Sequence, residues 1–346
     1  MKRLVWITGG IVLGCVLLIL MLRAITGPPP RHQHASFTRT FASVHLTPVD
    51  TVVLGRSYYL AGRTHTRLYF GSSQTPARLI EYAGTTSDTV HHTLRVADDV
   101  YYSSLQVAVD SPYFYLADGT VPFIYRGHLR TDSANVFRND FYFSKVVPFG
   151  VTSLAVVALS QNENTLEKIT GARKPVLYRD ILEEQGEGIF STDGMLVTDY
   201  PVQHLVYVYF YRNEFVVLDT AFQVLQRGHT IDSISKAQLV VKVTRNNSHT
   251  LGAPPLIVNK GVRIADGLLY VHANLLSRGE AVADFERHAV LDVYALHSGD
   301  YQHSFYVPQF KGHGLKAFVI VQGDFYGLYD GYLVRYRMTT NDITRA

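Results

Sequence analysis

The sequence predicts an all-β protein: a β-propeller of six blades, preceded by one N-terminal transmembrane helix. Seven blades would also accommodate the strand count. Three observations predict this. Short runs rich in Val, Ile, Leu, Tyr and Phe recur along the chain, and they are too short and too β-branched or aromatic to be helices. Turn formers such as Asp-Gly and Ser-Pro separate the runs at close intervals, as in antiparallel meanders. Roughly two dozen such runs occupy the body, and at about four strands per blade they make six blades, a radial arrangement that protects the edges of a long antiparallel chain.

Composition narrows the functional classes. Of 346 residues 18% are charged, below the usual roughly 25%, while Tyr (23) and Phe (18) are abundant. That much apolar surface argues against disorder. The net charge is +3 with the basic residues scattered, so no nucleic-acid patch and no nucleic-acid partner are expected. The single cysteine, Cys15, lies in the N-terminal apolar run. The folded part therefore holds no disulfide, iron–sulfur cluster, zinc ribbon or c-type haem attachment.

Taken in order, Lys2 and Arg3 precede an uncharged run over residues 4–22 that Arg23 ends. At about 1.5 Å per residue this run spans one hydrocarbon core of roughly 30 Å. It exceeds a signal-peptide core and lacks a convincing cleavage site, so an uncleaved signal anchor is the expectation. A cleaved signal peptide and a lipobox at Val12-Leu13-Gly14-Cys15 are the alternatives. Residues 1–3 then form a cytoplasmic tail and the body is extracytoplasmic, although positive charges on the two sides nearly balance. Residues 23–48 read as a spacer stiffened by Gly27-Pro28-Pro29-Pro30. His32 and His34 within it are too few for a metal site.

The propeller is expected over residues 49–338, with 339–346 as a tail. Its first strand is residues 49–54, followed by strands near 58–61, 67–71, 78–82 and 89–96. Further strands are expected at 105–109, 113–117, 121–125, 141–147, 151–159 and 166–169; residues 176–182 fit either a strand or a short helix. Residues 188–228 hold the clearest meander, with strands at 194–198, 205–211, 215–218 and 222–225. Strand 238–243 leads to a polar loop, 244–255. Strands 262–264 and 268–272 follow, then a charged loop, 277–287. The last are 289–296, 303–307, 315–321, 325–328 and 332–338.

Four units repeat a strand, an Asp or Gly turn and a Tyr- or Leu-rich strand, at Asp110, Asp193, Asp266 and Asp324, spaced by 83, 73 and 58 residues. Together with the stretch Leu291-Asp292-Val293-Tyr294-Ala295-Leu296-His297-Ser298-Gly299-Asp300-Tyr301, this pattern resembles the six-bladed TolB-like β-propellers, and within them uncharacterised exported bacterial members. The likeness is diffuse, covers about residues 49–338 and transfers no functional residue. It implies that an N-terminal strand, here 49–54, completes the last blade formed by 315–338.

A search for chemistry finds no Gly-x-Ser-x-Gly elbow, no phosphate-binding glycine loop and no helical His-x-x-x-His. His91 and His92 sit in a strand and point to opposite faces. The Asp-Gly pairs 118/119, 193/194, 266/267 and 330/331 read as turns, not calcium loops. Arg212 and Glu214 read as an exposed hairpin tip with a weak ion pair. Asn246-Asn247-Ser248 fits a glycosylation sequon. No catalytic or metal-binding residue and no cofactor are assigned, and the binding residues stay unknown. The leading functional reading is a membrane-anchored binding module of the cell envelope, for a protein, peptide or glycan. The alternatives are a hydrolase or lyase acting on a sugar or lactone at the central funnel, and a structural factor without a discrete ligand. The side chains lining the channel separate these readings.

Overall fold

The computed structural model describes residues 13–18, 21, 36–84, 88–96, 100–160, 163–171, 173–186, 188–244 and 249–340. Strand β1 (Val44–Val53) comes first. Blade I is β2 (Tyr58–Arg63), β3 (Leu68–Ser72), β4 (Arg78–Tyr82) and β5 (Thr89–Thr93); the two-residue β6 (Arg95–Val96) pairs with the outer strand of the next blade. Blade II is β7 (Gln106–Asp110), β8 (Tyr113–Asp118), β9 (Phe123–His128) and β10 (Ser133–Arg138). Blade III is β11 (Phe143–Pro148), β12 (Ser153–Ser160), β13 (Glu163–Thr170) and β14 (Val176–Tyr178). Blade IV is β15 (Gly194–Thr198), β16 (His204–Tyr209), β17 (Glu214–Asp219) and β18 (Val224–His229). A small hairpin, β19 (Val241–Val243) with β20 (His249–Leu251), stands between blades. Blade V is β21 (Asn259–Ala265), β22 (Leu268–Ala273), β23 (His288–Ala295) and β24 (Tyr301–Pro308). Blade VI is β25 (Ala317–Val321), β26 (Asp324–Tyr329) and β27 (Tyr332–Thr340), completed by β1 as its outer strand.

This is the six-bladed ring that the strand count predicts. The first strand of each blade lies against the first strand of the next, closing a circle in the order β2, β7, β11, β15, β21, β25. Alternation along the strands explains why the blades cannot stand alone. Val206 and Val208 point into the interface with blade V, whereas Leu205 and Tyr207 between them point into the interface with blade III. Every blade is thus apolar on both faces, and six separate cores fill the six gaps between neighbours. Burial of apolar surface, at roughly 25 cal/mol per Å², rewards only the stacked arrangement.

The ring closes without covalent help. β1 runs antiparallel to β27 from Val44↔Thr340 to Val53↔Tyr332, with one bulge between Pro48 and Asp50. Where blades I and II converge, Gly62 bridges Val109 in parallel. A Cβ on Gly62 would lie 2.2 Å from the Val109 carbonyl oxygen, so this approach requires glycine.

The structure adds strand β10 where no strand was expected, decides the open reading of residues 176–182, and differs from the sequence reading in other places. β1 begins at Val44, ahead of residue 49, and residues before it dock on blade V through a bridge between Phe41 and Ser304. Residues 176–182 contribute the short strand β14 and then a turn, not a helix. The polar loop 244–255 contains β20, held by β19. The charged loop 277–287 ends in the helix Val282–Arg287, which buries no side chain. At the N-terminus residues 13–18 are helical, with Leu13, Val16, Leu17 and Leu18 exposed. The remainder of residues 4–22 apart from residue 21, the Pro-rich stretch with His32 and His34, and the sequon at Asn246 lie outside the described residues. No helix among the described residues is long and apolar enough to cross a membrane.

Candidate functional site

The six innermost strands enclose a central channel holding a cavity of about 230 Å³. Its walls are mostly apolar, as the alternation requires, with polar groups set among them. Tyr59 and Arg63 come from β2, Asp110 from β7, Arg263 from β21, and Asp199 and Tyr200 from the turn after β15.

Most of these polar groups are tied to the backbone. The Val107 N–H donates to the Tyr59 hydroxyl at 2.7 Å, and burial pushes that phenol up to about 12. The Gly150 N–H donates to Asp110 at 2.9 Å, yet burial outweighs that bond and holds the Asp110 carboxyl above its ordinary value. Asp199 accepts the backbone N–H groups of Gln203 (2.7 Å) and His204 (2.9 Å), and its second oxygen meets His204 Nδ1 at 2.7 Å. Asp199 therefore braces its own turn, and Asp110 ties its blade to the turn after β11.

The two guanidiniums differ from that pattern. Arg63 reaches out of blade I and donates to the carbonyls of Ile264 (3.2 Å) and Ile320 (3.1 Å), on blades V and VI. Its plane lies 5.8 Å from the centre of the Tyr200 ring, which packs edge-on against His65 at 4.8 Å. Burial lowers the Arg63 pKa, and Asp266, Asp199 and Tyr200 pull it partly back. Arg263 donates to the Val262 carbonyl at 2.6 Å. It lines the cavity and is partly buried. Burial, then the like charge of Arg63, lowers its pKa to about 10, so it stays charged at neutral pH. Neither arginine has a carboxylate within ion-pair distance among the described residues.

Of the residues singled out in the sequence, only Asp110, noted there as a repeat turn, is in this group. His91 is exposed and His92 is buried, on opposite faces as expected. His92 lies between Asp132 (2.8 Å) and Glu81 (3.3 Å), and Glu81 also pairs with Arg67. The Asp-Gly pairs serve turns. Asp118 accepts four backbone N–H groups, which overcome its desolvation and lower its pKa. Asp193, however, precedes the inner strand of blade IV; the position equivalent to Asp110 and Asp266 is Asp199. Arg212 overturns the exposed-tip reading. It is fully buried, stacks 3.6 Å above Tyr209, pairs with Glu214 at 2.6 Å, and donates to the Ser191 and Glu183 carbonyls. No group of three or more metal-ligating side chains is found among the described residues. Arg63 and Arg263 went unnoticed in the sequence. The available signal was a lone arginine inside an apolar first strand, as in Val262-Arg263-Ile264.

No family model and no curated protein matches the sequence. Solved structures do align with the fold. YCF48 bound to D1 peptide is 11% identical, covers 89% of this chain and 100% of its own, and has a TM-score of 0.47. A duf4221 family member from Bacteroides vulgatus is 11% identical, covers 86% of this chain and 99% of its own, and has a TM-score of 0.45. BamB from Moraxella catarrhalis is 12% identical, covers 90% and 98%, and has a TM-score of 0.42. The likeness is one of general shape.

Proposed function

We propose that the protein is a binding module held at a membrane, with residues 4–22 as its anchor and the propeller on the extracytoplasmic side, where it receives a protein, peptide or glycan. One observation carries the binding role. The channel's carboxylates and phenol are occupied in bracing the turns and strands around them, whereas its two cations keep donors free toward the cavity. Fixed donors around an enclosed space suit recognition. The anchor is supported by the uncharged run and by the exposed apolar side chains of residues 13–18. The resemblance to exported TolB-like propellers supports the placement of the body. Full-length protein purified from solubilised membranes should carry a stoichiometric partner, and repeated recovery of the bare chain would count against the role. Protease added outside intact cells should digest the propeller; complete protection would overturn the placement.

A second reading, a hydrolase or lyase acting on a sugar or lactone, draws on the Asp199–His204 pair beside the channel. An oriented imidazole is a general base in form. If that reading held, His204→Asn would abolish turnover while leaving ligand affinity within a factor of about two.

A further inference from the structure

The channel's chemistry points to a more specific ligand, and the inference rests on the binding role proposed above. Two guanidiniums together carry ten N–H donors. Three of them are satisfied by protein, at the Ile264, Ile320 and Val262 carbonyls. Both guanidiniums line the cavity, and neither has an ion-pair partner among the described residues. A planar fork of this kind matches a carboxylate edge. The same cavity is lined by acceptors that suit hydroxyl groups, namely Gln106, Thr198 and the Asp110 oxygen that does not bond Gly150, while the Asp199 carboxylate, held by its own turn, and the ring of Tyr200 stand beside them. Those two carboxylates offset the two cations, so the lining does not favour a multiply charged anion. It fits a single negative charge on a body rich in hydroxyls. At roughly 30 Å³ per water, the space of about 230 Å³ matches roughly eight waters, enough for one sugar ring.

We propose that the channel binds a polyhydroxylated monocarboxylate, a sugar acid, with Arg63 and Arg263 clamping the carboxylate and the acceptors of β7 and β15 taking the hydroxyls. The acid is either a free monosaccharide or the terminal uronate of an acidic glycan; the recognition chemistry is the same. Arg63 has the further task of tying blades I, V and VI, so Arg263 is the cleaner residue to test.

The experiment is calorimetric titration of the detergent-solubilised full chain with D-glucuronate, D-glucose, inorganic phosphate and a glucuronate-terminated oligosaccharide. Glucuronate should bind, and glucose and phosphate should bind at least tenfold more weakly. Tighter binding of the oligosaccharide would identify a glycan end as the source, and equal or weaker binding a free acid. Arg263→Gln should weaken glucuronate roughly ten- to hundredfold, the range for hydrogen bonds to a charged group. Arg263→Lys, which keeps the charge and loses the fork, should fall between wild type and Gln. Thermal unfolding of each variant confirms folding, and the wild-type ligand series stands whether or not a variant folds. No glucuronate binding at millimolar concentration, phosphate binding as tightly as glucuronate, or an affinity indifferent to Arg263→Gln would each overturn the proposal. A stoichiometric partner captured equally by wild type and Arg263→Gln would leave the binding role standing while removing this site.

Discussion

Arg39 offers the sharpest test of how the chain before the propeller is fastened to it. Its guanidinium donates to both carboxylate oxygens of Asp292, at 2.8 and 3.2 Å, to Glu280 at 2.9 Å, and to the Leu275 carbonyl at 2.9 Å. Side-chain exposure is 1% for Arg39 and Glu280 and 2% for Asp292, so water does not substitute for any of these contacts. Burial disfavours the Arg39 charge, but the pull of Asp292 and Glu280 outweighs it and raises the pKa above its ordinary value. Arg39→Met retains an aliphatic stem over Phe37 and leaves two carboxylates buried without their cation. Removing one partner of a buried ion pair costs about 3–5 kcal/mol. At roughly 2 °C per kcal/mol for a domain of this size, the melting temperature should fall by roughly 6–10 °C. Urea titration of the full chain at pH 7 provides the free energy, and part of the loss should return at mildly acidic pH as the orphaned carboxylates take up protons. A loss below about 1 kcal/mol, unchanged by acid, would refute the docking of this segment.

Two buried groups make stability depend on pH in opposite directions. Burial raises Asp232 to about 6, so the folded state holds an extra proton, and the contribution present at low pH is lost as pH rises from about 4 to about 6. Burial, aided by Lys260, lowers His272 to about 3; its contribution is complete above about 6.5 and is lost as pH falls below that. Between pH 4 and 6 the two slopes, each about 1.4 kcal/mol per pH unit, oppose one another. Asp232→Asn should therefore make stability fall with acidification, and His272→Leu should make it rise; urea midpoints that run parallel to wild type would contradict both assignments. Gly62→Ala forces a methyl against the Val109 carbonyl and should cost about 1–3 kcal/mol or more by overpacking, read as a lowered urea midpoint. Arg212→Ala should destabilise blade IV by at least about 3 kcal/mol, since Glu214 loses its cation and two carbonyls lose a donor; a change under about 1 kcal/mol would restore the exposed-tip reading.

Strands were legible in the sequence because their limits are set locally. Asp266-Gly267 has positive φ at both residues, 51° and 73°, which few other pairs adopt, so the turn and its flanking strands announce themselves. The pairing of the first strand with the last blade followed from the resemblance, and the structure bears it out. Burial of hairpin residues was not legible. Arg212-Asn213-Glu214 has the composition of an exposed turn, and only the arrival of Ser191 and Glu183 from the preceding linker encloses it. The same holds for the channel. Arg63 and Arg263 are two hundred positions apart, and nothing local to either shows that ring closure sets them around one space. The phase of the repeat slipped at blade IV because Asp193-Gly194 mimics, one strand early, the turn that Asp199 makes.

Since the outermost strand of blade VI is contributed by residues 44–53, the molecule cannot be completed in the order in which it is synthesised. A nascent chain must keep β1 waiting, its hydrogen-bonding groups unmatched, until residues 332–340 emerge. A chain lacking residues 332–340 would thus yield not a smaller wheel but an open arc with an adhesive rim.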